Sequence, residues 1–123
     1  MPKFSLKSRL LSFKYAFKGL GILLKEEHNV LIHLGFAITS IFGGWYFNIS
    51  IVEWMMIISC IGMVIMAEIF NTSIEHIANY IQPNQDTKIE IIKDLGAAGV
   101  FIAALSAFLI GVIIFIPKIM DLL

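Results

Sequence analysis

Charge is scarce in this chain: only 15% of its 123 residues are charged, while 59% are hydrophobic. A soluble domain carries about a quarter charged residues. Too little polar surface is present to cover a water-soluble globule of this size, and that class is excluded. Positive charge is missing altogether between Lys25 and Lys88, whereas Lys3, Lys7, Arg9, Lys14, Lys18 and Lys25 all precede the first long apolar run. That asymmetry predicts a cytoplasmic N-terminus by the positive-inside rule. A basic cluster can elsewhere mean nucleic acid, but these lysines share a helix with an apolar face, so no nucleic-acid partner is expected. Cysteine is almost absent, and Cys60 lies within an apolar run, so no disulfide framework exists. The N-terminal residues are amphipathic rather than one apolar block before a small-residue cleavage site, and do not read as a signal peptide. Glycine-rich phosphate cradles are missing too: neither G-x-x-x-x-G-K-[ST] nor G-x-G-x-x-G occurs. If a nucleotide binds, side chains and a metal must hold its phosphates.

What remains is apolar helix. The chain has room for a single domain, 1–123, and its pattern predicts an all-α integral membrane protein: an N-terminal amphipathic surface helix plus three transmembrane helices. Over 5–25, Leu6, Leu10, Phe13, Phe17 and Leu20 recur at helical spacing with Lys7, Lys14, Lys18 and Lys25 largely opposite, as in a helix lying on an anionic membrane surface. The first span, 29–47, ends in Trp45-Tyr46-Phe47, an aromatic group suited to a membrane interface. A turn follows, with Glu53 as a solvated residue. The second span, 52–81, has Trp54 as its outer anchor. Residues 82–86, with Pro83, form a polar loop, and Lys88 and Lys93 put that loop inside. The third span, 95–116, is ended by Pro117. Each apolar stretch is close to the roughly 20 residues that a bilayer core requires. The expected topology is multi-pass in the cytoplasmic (inner) membrane, with the N-terminus inside and the C-terminus outside; Lys118 at the outer end is the exception to the charge rule. Gly43-Gly44 and Gly62 are expected to permit close helix approach.

The inner half of the second span carries the chemistry. Glu68, Asn71, Thr72, Glu75 and Asn79 fall at i, i+3, i+4, i+7 and i+11, which places them on one helix face. Asn and Thr can serve as interhelical glue. Two glutamates are different, because an ionisable group at membrane depth costs several kcal/mol unless it is paired, neutral or facing water. Glu26-Glu27, before the first span, and Lys93-Asp94, at the entrance to the third, face the same cytoplasmic layer. Carboxylates and a lysine in one layer suit a divalent cation with an anionic substrate, and Mg2+ prefers one or two carboxylates plus phosphate oxygens. A carboxylate free of metal duty can take a proton from a hydroxyl. His28, His33 and His76 fit no structural zinc spacing. Residue chemistry by itself stops at a metal-dependent membrane site.

Glu68-x-x-Asn71-Thr72-x-x-Glu75, followed by Lys93-Asp94 and the small-residue run Gly96-Ala97-Ala98-Gly99-Val100, resembles the prokaryotic diacylglycerol kinase family, which includes the undecaprenol kinases. Tyr15-Ala16-Phe17-Lys18-Gly19 and Glu27-His28-Asn29 add to a likeness covering nearly the whole chain. The resemblance implies an ATP- and Mg2+-dependent lipid kinase, working as a homotrimer with sites shared between neighbours. It phosphorylates diacylglycerol to phosphatidic acid or, alternatively, undecaprenol to undecaprenyl phosphate; Glu27-x-Asn29 and Ile32-His33 lean slightly to the second. Carried over, Glu68 is the general base on the lipid hydroxyl, and Glu27 and Glu75 ligate the metal bridging the ATP phosphates. Asn71, Lys93 and Asp94 contact ATP, with Arg9 and Tyr15 from the N-terminal helix, while Lys18 and His33 stand on the lipid side. The chain departs from the family pattern at Asn79, where an acidic residue is common, and at Asn84-Gln85-Asp86, where a Glu-x-His is common. Asn79, Asn84 and Asp86 are therefore expected on the nucleotide side.

Two other classes compete. A small ion-conducting subunit needs polar groups through the outer half of the membrane, but between Met55 and Met66 only Ser59 and Cys60 offer any. A non-catalytic assembly partner gives Glu27, Lys93 and Asp94 no reason to share a layer with the stripe.

Overall fold

The computed structural model describes residues 3–123, and these form four helices with no strand among the described residues. Helix α1 (Leu6–Glu26) starts at Ser5, whose hydroxyl accepts from the Ser8 N–H at 3.4 Å. One extended residue, Glu27, separates it from α2 (His28–Tyr46). The chain then reverses through Asn48, which adopts a positive φ of 50°, a conformation that asparagine tolerates better than most side chains. Helix α3 (Ile51–Ile81) opens with a reciprocal capping box, in which Ser50 accepts from the Glu53 N–H and Glu53 accepts from the Ser50 N–H, both at 3.1 Å. This satisfies two otherwise orphaned donors. After the loop 82–86, Asp86 caps α4 (Thr87–Leu122), its Oδ1 accepting from the N–H groups of Lys88 and Ile89 at 2.9 and 3.3 Å.

Helix α4 differs from the expected third span at both ends. It starts eight residues before Leu95, because the Asp86 cap launches the helix on the polar side of the apolar run. Lys93 and Asp94 therefore ride on helix. Pro117 does not end it either; the helix runs on to Leu122. A proline within a helix removes one hydrogen bond and crowds the preceding turn. Here Lys118 Nζ reaches back to the Ile114 carbonyl at 3.3 Å and to Glu53 Oε2 at 2.7 Å, tying this last stretch to α3.

Helix α4 packs chiefly on α3, α2 packs more lightly on α3, and α1 touches the bundle only near its end. At the outer end Ile49, Ile57 and Ile114 form a small core covered by Phe47, Trp54, Ile61, Ile110 and Phe115. Trp54 faces this core rather than the membrane surface. A Cβ on Gly44 would meet the Trp54 ring at 2.7 Å and Ile49 at 2.9 Å, so glycine is what allows the approach. Gly43 similarly faces Phe115, at 3.1 Å. Gly62 has nothing within 4 Å and serves no contact here. Glu53 is not a free solvated residue, since it both caps α3 and pairs with Lys118. That pairing also accounts for a lysine at the outer end.

Two helices, α3 and α4, are long and apolar enough to cross a membrane. Only 22% and 11% of their most apolar stretches are buried within the chain, which distinguishes them from core helices of a soluble domain. At 1.5 Å per residue, their 31 and 36 residues reach about 46 and 54 Å, well beyond the roughly 30 Å hydrocarbon layer. Each helix is therefore longer than such a layer is thick, and the polar stripe lies in the C-terminal part of α3, towards the loop 82–86. An apolar cleft of about 500 Å3 lies between α2, α3 and α4, bounded by Phe36, Ile57, Val64, Phe101 and Phe108, with His33 at its inner end.

Candidate active site

The stripe on α3 runs from buried to exposed. Glu68, Asn71 and Thr72 are 2%, 7% and 7% exposed, Glu75 is half-buried and Asn79 is exposed. Glu68 and Glu75 are two turns apart, about 10 Å along the axis, so the two carboxyl groups meet different surroundings.

Glu68 points towards α2. Its Oε1 lies 3.1 Å from His33 Nε2, but the two are not aligned for a hydrogen bond, so the oxygen is left without a true partner. Asn71 Oδ1 and Thr72 Oγ1 are also buried and unpaired. Buried polar atoms nearly always find a partner, and three orphans on one helix face mark a place prepared for something polar. Asn71 Nδ2 donates to Glu75 Oε1 across a long 3.5 Å. Its position is set from α4: a Cβ on Gly96 would stand 2.5 Å from Asn71 Oδ1. Only a residue without a side chain lets the helices approach there.

The rim is charged. Glu27, at the joint between α1 and α2, is close enough to Glu75 and Glu68 for its charge to act on both. As the N-cap of α2 it makes no capping bond with its side chain, which leaves the carboxyl free to turn inward. Lys93 acts on Glu75 from α4, and its Nζ donates to Asn79 Oδ1 at 2.6 Å. Beside them, His76 Nε2 and Glu26 Oε2 are 2.5 Å apart.

Among the described residues no group of three or more His, Cys, Asp or Glu side chains is arranged to enclose a metal ion. Two adjacent carboxylates nevertheless fit a hard cation that brings phosphate oxygens with it, since Mg2+ uses few protein ligands and keeps the others for phosphate and water. Side-by-side carboxylates repel unless a cation or proton lies between them. The donor set of Glu27 and Glu75 therefore suits a metal carried on a polyphosphate.

Helices α1 to α4 thus bring Glu27, His33, Glu68, Asn71, Glu75, Asn79 and Lys93 together. Asp94 is exposed on α4 beside Lys93. Arg9, Tyr15 and Lys18 are exposed on the outlying part of α1; they precede Glu27 by 18, 12 and 9 residues, or about 27, 18 and 14 Å of helix, and the Arg9 guanidinium stacks over Phe4 at 5.3 Å. Asn84 is exposed in the loop, and the Asp86 carboxylate is engaged in capping α4. Three features were not read from sequence: His33 beside Glu68, the Glu26–His76 contact and the fit of Gly96 against Asn71. A histidine in the same inner layer as the stripe was a signal for the first. The other two depend on which helices touch, which periodicity does not encode.

Comparison with known proteins gives a consistent result. The model of the prokaryotic diacylglycerol kinase family matches residues 14–115. The undecaprenol kinase of Bacillus subtilis is 33% identical over 107 residues, covering 87% of each chain. A diacylglycerol kinase of Synechocystis is 26% identical over 117 residues, covering 93% of this chain and 66% of that protein.

Proposed function

The chain belongs to the prokaryotic diacylglycerol kinase family, and from that premise we propose that it transfers the γ-phosphoryl group of ATP to the hydroxyl of a membrane lipid alcohol, with undecaprenol the favoured acceptor. The observation that carries this reading is the division of the stripe by depth. A buried carboxylate, Glu68, stands beside an apolar cleft, and two turns nearer water a carboxylate pair, Glu27 and Glu75, stands beside a lysine. A lipid hydroxyl and a nucleotide approach from those two sides. Undecaprenol is favoured over diacylglycerol by the 33% identity to an undecaprenol kinase across most of both chains. The more distant diacylglycerol kinase keeps the second acceptor as the comparison arm.

In this mechanism Glu68 takes the proton from the lipid hydroxyl as it attacks, with His33 Nε2 alongside to steady the carboxylate. The acceptor's hydrocarbon occupies the cleft that ends at His33. Glu27 and Glu75 hold Mg2+, which when bound neutralises phosphate charge. Lys93 and Asp94 contact the nucleotide, Asn71 keeps Glu75 oriented, and Asn79, through Lys93, reaches the same side. Positioning and charge neutralisation supply most of the rate. We further read α2 as a third span, with the termini on opposite sides of the cytoplasmic membrane and the site inside. Assembly into a homotrimer is what the family resemblance implies, and the exposed apolar faces of α3 and α4 leave surface for it. Arg9, Tyr15 and Lys18 then act from an α1 lying along the membrane surface, towards the site of a neighbour.

The test is a kinase assay of purified protein in lipid with labelled ATP, offering undecaprenol and diacylglycerol side by side. Transfer to undecaprenol is expected to dominate. Transfer to neither alcohol rejects the reading, and a preference for diacylglycerol rejects the acceptor assignment.

A further inference from the structure

Helices α1 and α2 share a joint of one residue, Glu27, with an extended backbone of φ −108° and ψ 103°. The direction of its carboxyl is therefore set by how the end of α1 lies on the bundle. That end is lightly held. Leu23 is the one buried residue of α1, and residues 6–20 are exposed throughout. Its polar contact with α3 is the one between Glu26 and His76, at 2.5 Å.

Glu26 and His76 are the chain neighbours of Glu27 and Glu75. Two consecutive side chains at the end of α1 thus meet two consecutive side chains on α3. One pair attracts and the other, carboxylate against carboxylate, repels. Without an opposing contact, the repulsion drives the end of α1 outward and takes Glu27 with it. We propose that Glu26 and His76 form a clamp that holds Glu27 beside Glu75 before a cation arrives, making both of them positioning residues for divalent-metal binding. This rests on the assignment of Glu27 and Glu75 as metal ligands in the lipid-kinase reading. The clamp needs no charge on His76: a neutral imidazole with its proton on Nε2 donates to the Glu26 carboxylate. Neither residue touches substrate.

The experiment uses the full chain in phospholipid nanodiscs in a Cys60→Ser background. Mn2+ binding is followed by electron paramagnetic resonance, with and without β,γ-methylene-ATP. Spin labels at Phe13→Cys on α1 and Tyr80→Cys on α3, both exposed positions, report the α1–α3 distance. His76→Ala and Glu26→Ala are expected to weaken Mn2+ binding about three- to tenfold, the range that one solvent-exposed hydrogen bond supports, and to broaden the distance distribution. His76→Gln, which keeps a donor, and the exchanged pair Glu26→His with His76→Glu are expected to restore most of both. Mn2+ affinity within twofold of wild type in both alanine variants overturns the clamp, as does weakened binding with an unchanged distance distribution. If an alanine variant fails to fold, by elution and thermal unfolding, then His76→Glu and the exchanged pair decide: Mn2+ binding no stronger in the exchanged pair than in His76→Glu alone overturns the proposal. Wild-type transfer to the two alcohols is measured on the same preparation. No transfer with clamp-dependent Mn2+ binding sinks the lipid-kinase reading and leaves the clamp, while transfer with clamp-independent binding sinks the clamp alone.

Discussion

Replacing Gly96 with alanine adds one methyl group at the closest approach of α3 and α4. That carbon would stand 2.5 Å from Asn71 Oδ1, 3.5 Å from Asn71 Cγ and 3.6 Å from Ile74 Cδ1. The oxygen must retreat from 2.5 Å to the 3.4 Å at which ordinary contact begins, a movement of about 0.9 Å. Asn71 is 7% exposed and cannot swing into open space. Its bond to Glu75, already 3.5 Å long, breaks with the shift. Overpacking of this kind costs about 1–3 kcal/mol of stability, and displacing a positioning group by about 1 Å can cost on the order of 100-fold in rate. Gly96→Ala is therefore expected to lower kcat/KM for lipid phosphorylation about 10- to 100-fold while the protein still folds. Gly99→Ala is the control, because a Cβ there would meet nothing within 4 Å, and it is expected to stay within about twofold of wild type. Gly96→Ala activity within that same margin would refute the claim that α4 sets the position of Asn71.

Glu68→Gln is expected to lower kcat about 100- to 10,000-fold, as loss of a general base does, with little change in the metal concentration giving half-maximal rate. Glu75→Gln is expected to shift that metal dependence as well, so titrating Mg2+ against rate in both variants separates base from ligand. Asp86→Ala is expected to cost about 1 kcal/mol of stability through loss of the α4 cap, read as a lower unfolding midpoint in detergent; a larger change in KM for ATP than in stability would restore Asp86 to the nucleotide. Lys118→Met leaves activity unchanged and removes about 0.2–1 kcal/mol or less, since both partners of the pair with Glu53 are 27% exposed and solvent screens them. A larger loss, in the same unfolding measurement, would mean that the outer pair carries more of the α3–α4 contact than its exposure implies.

Much of this architecture was legible because it is written in local chemistry. Helical spacing and hydropathy place α1, α2 and α3 within a residue or so of their observed ends, whereas the caps at Ser5, Ser50 and Asp86 emerge only in the structure. The stripe was legible because helical periodicity alone gathers Glu68, Asn71, Thr72 and Glu75 on one face. Hydropathy marks the apolar part of a helix and not its polar extension, so α4 was read too short at its inner end. Pro117 was read as a stop because the rule is local, whereas the contacts of Lys118 with Ile114 and Glu53 come from the helix itself and from its neighbour. Trp54 faced inward for the same kind of reason: Gly44, ten residues away, opens the space its ring occupies.

Helix α4 meets α3 at two separated places: Lys118 reaches Glu53 near one end, and Gly96 lies against Asn71 some 22 residues away, about 33 Å of helix. Lys93 lies only three residues beyond the second contact, so a tilt of α4 against α3 is resisted where it would displace Lys93 most. The spacing of Lys93 from Glu75 and Asn79 is thus insulated from the angle at which the pair of helices meets its surroundings.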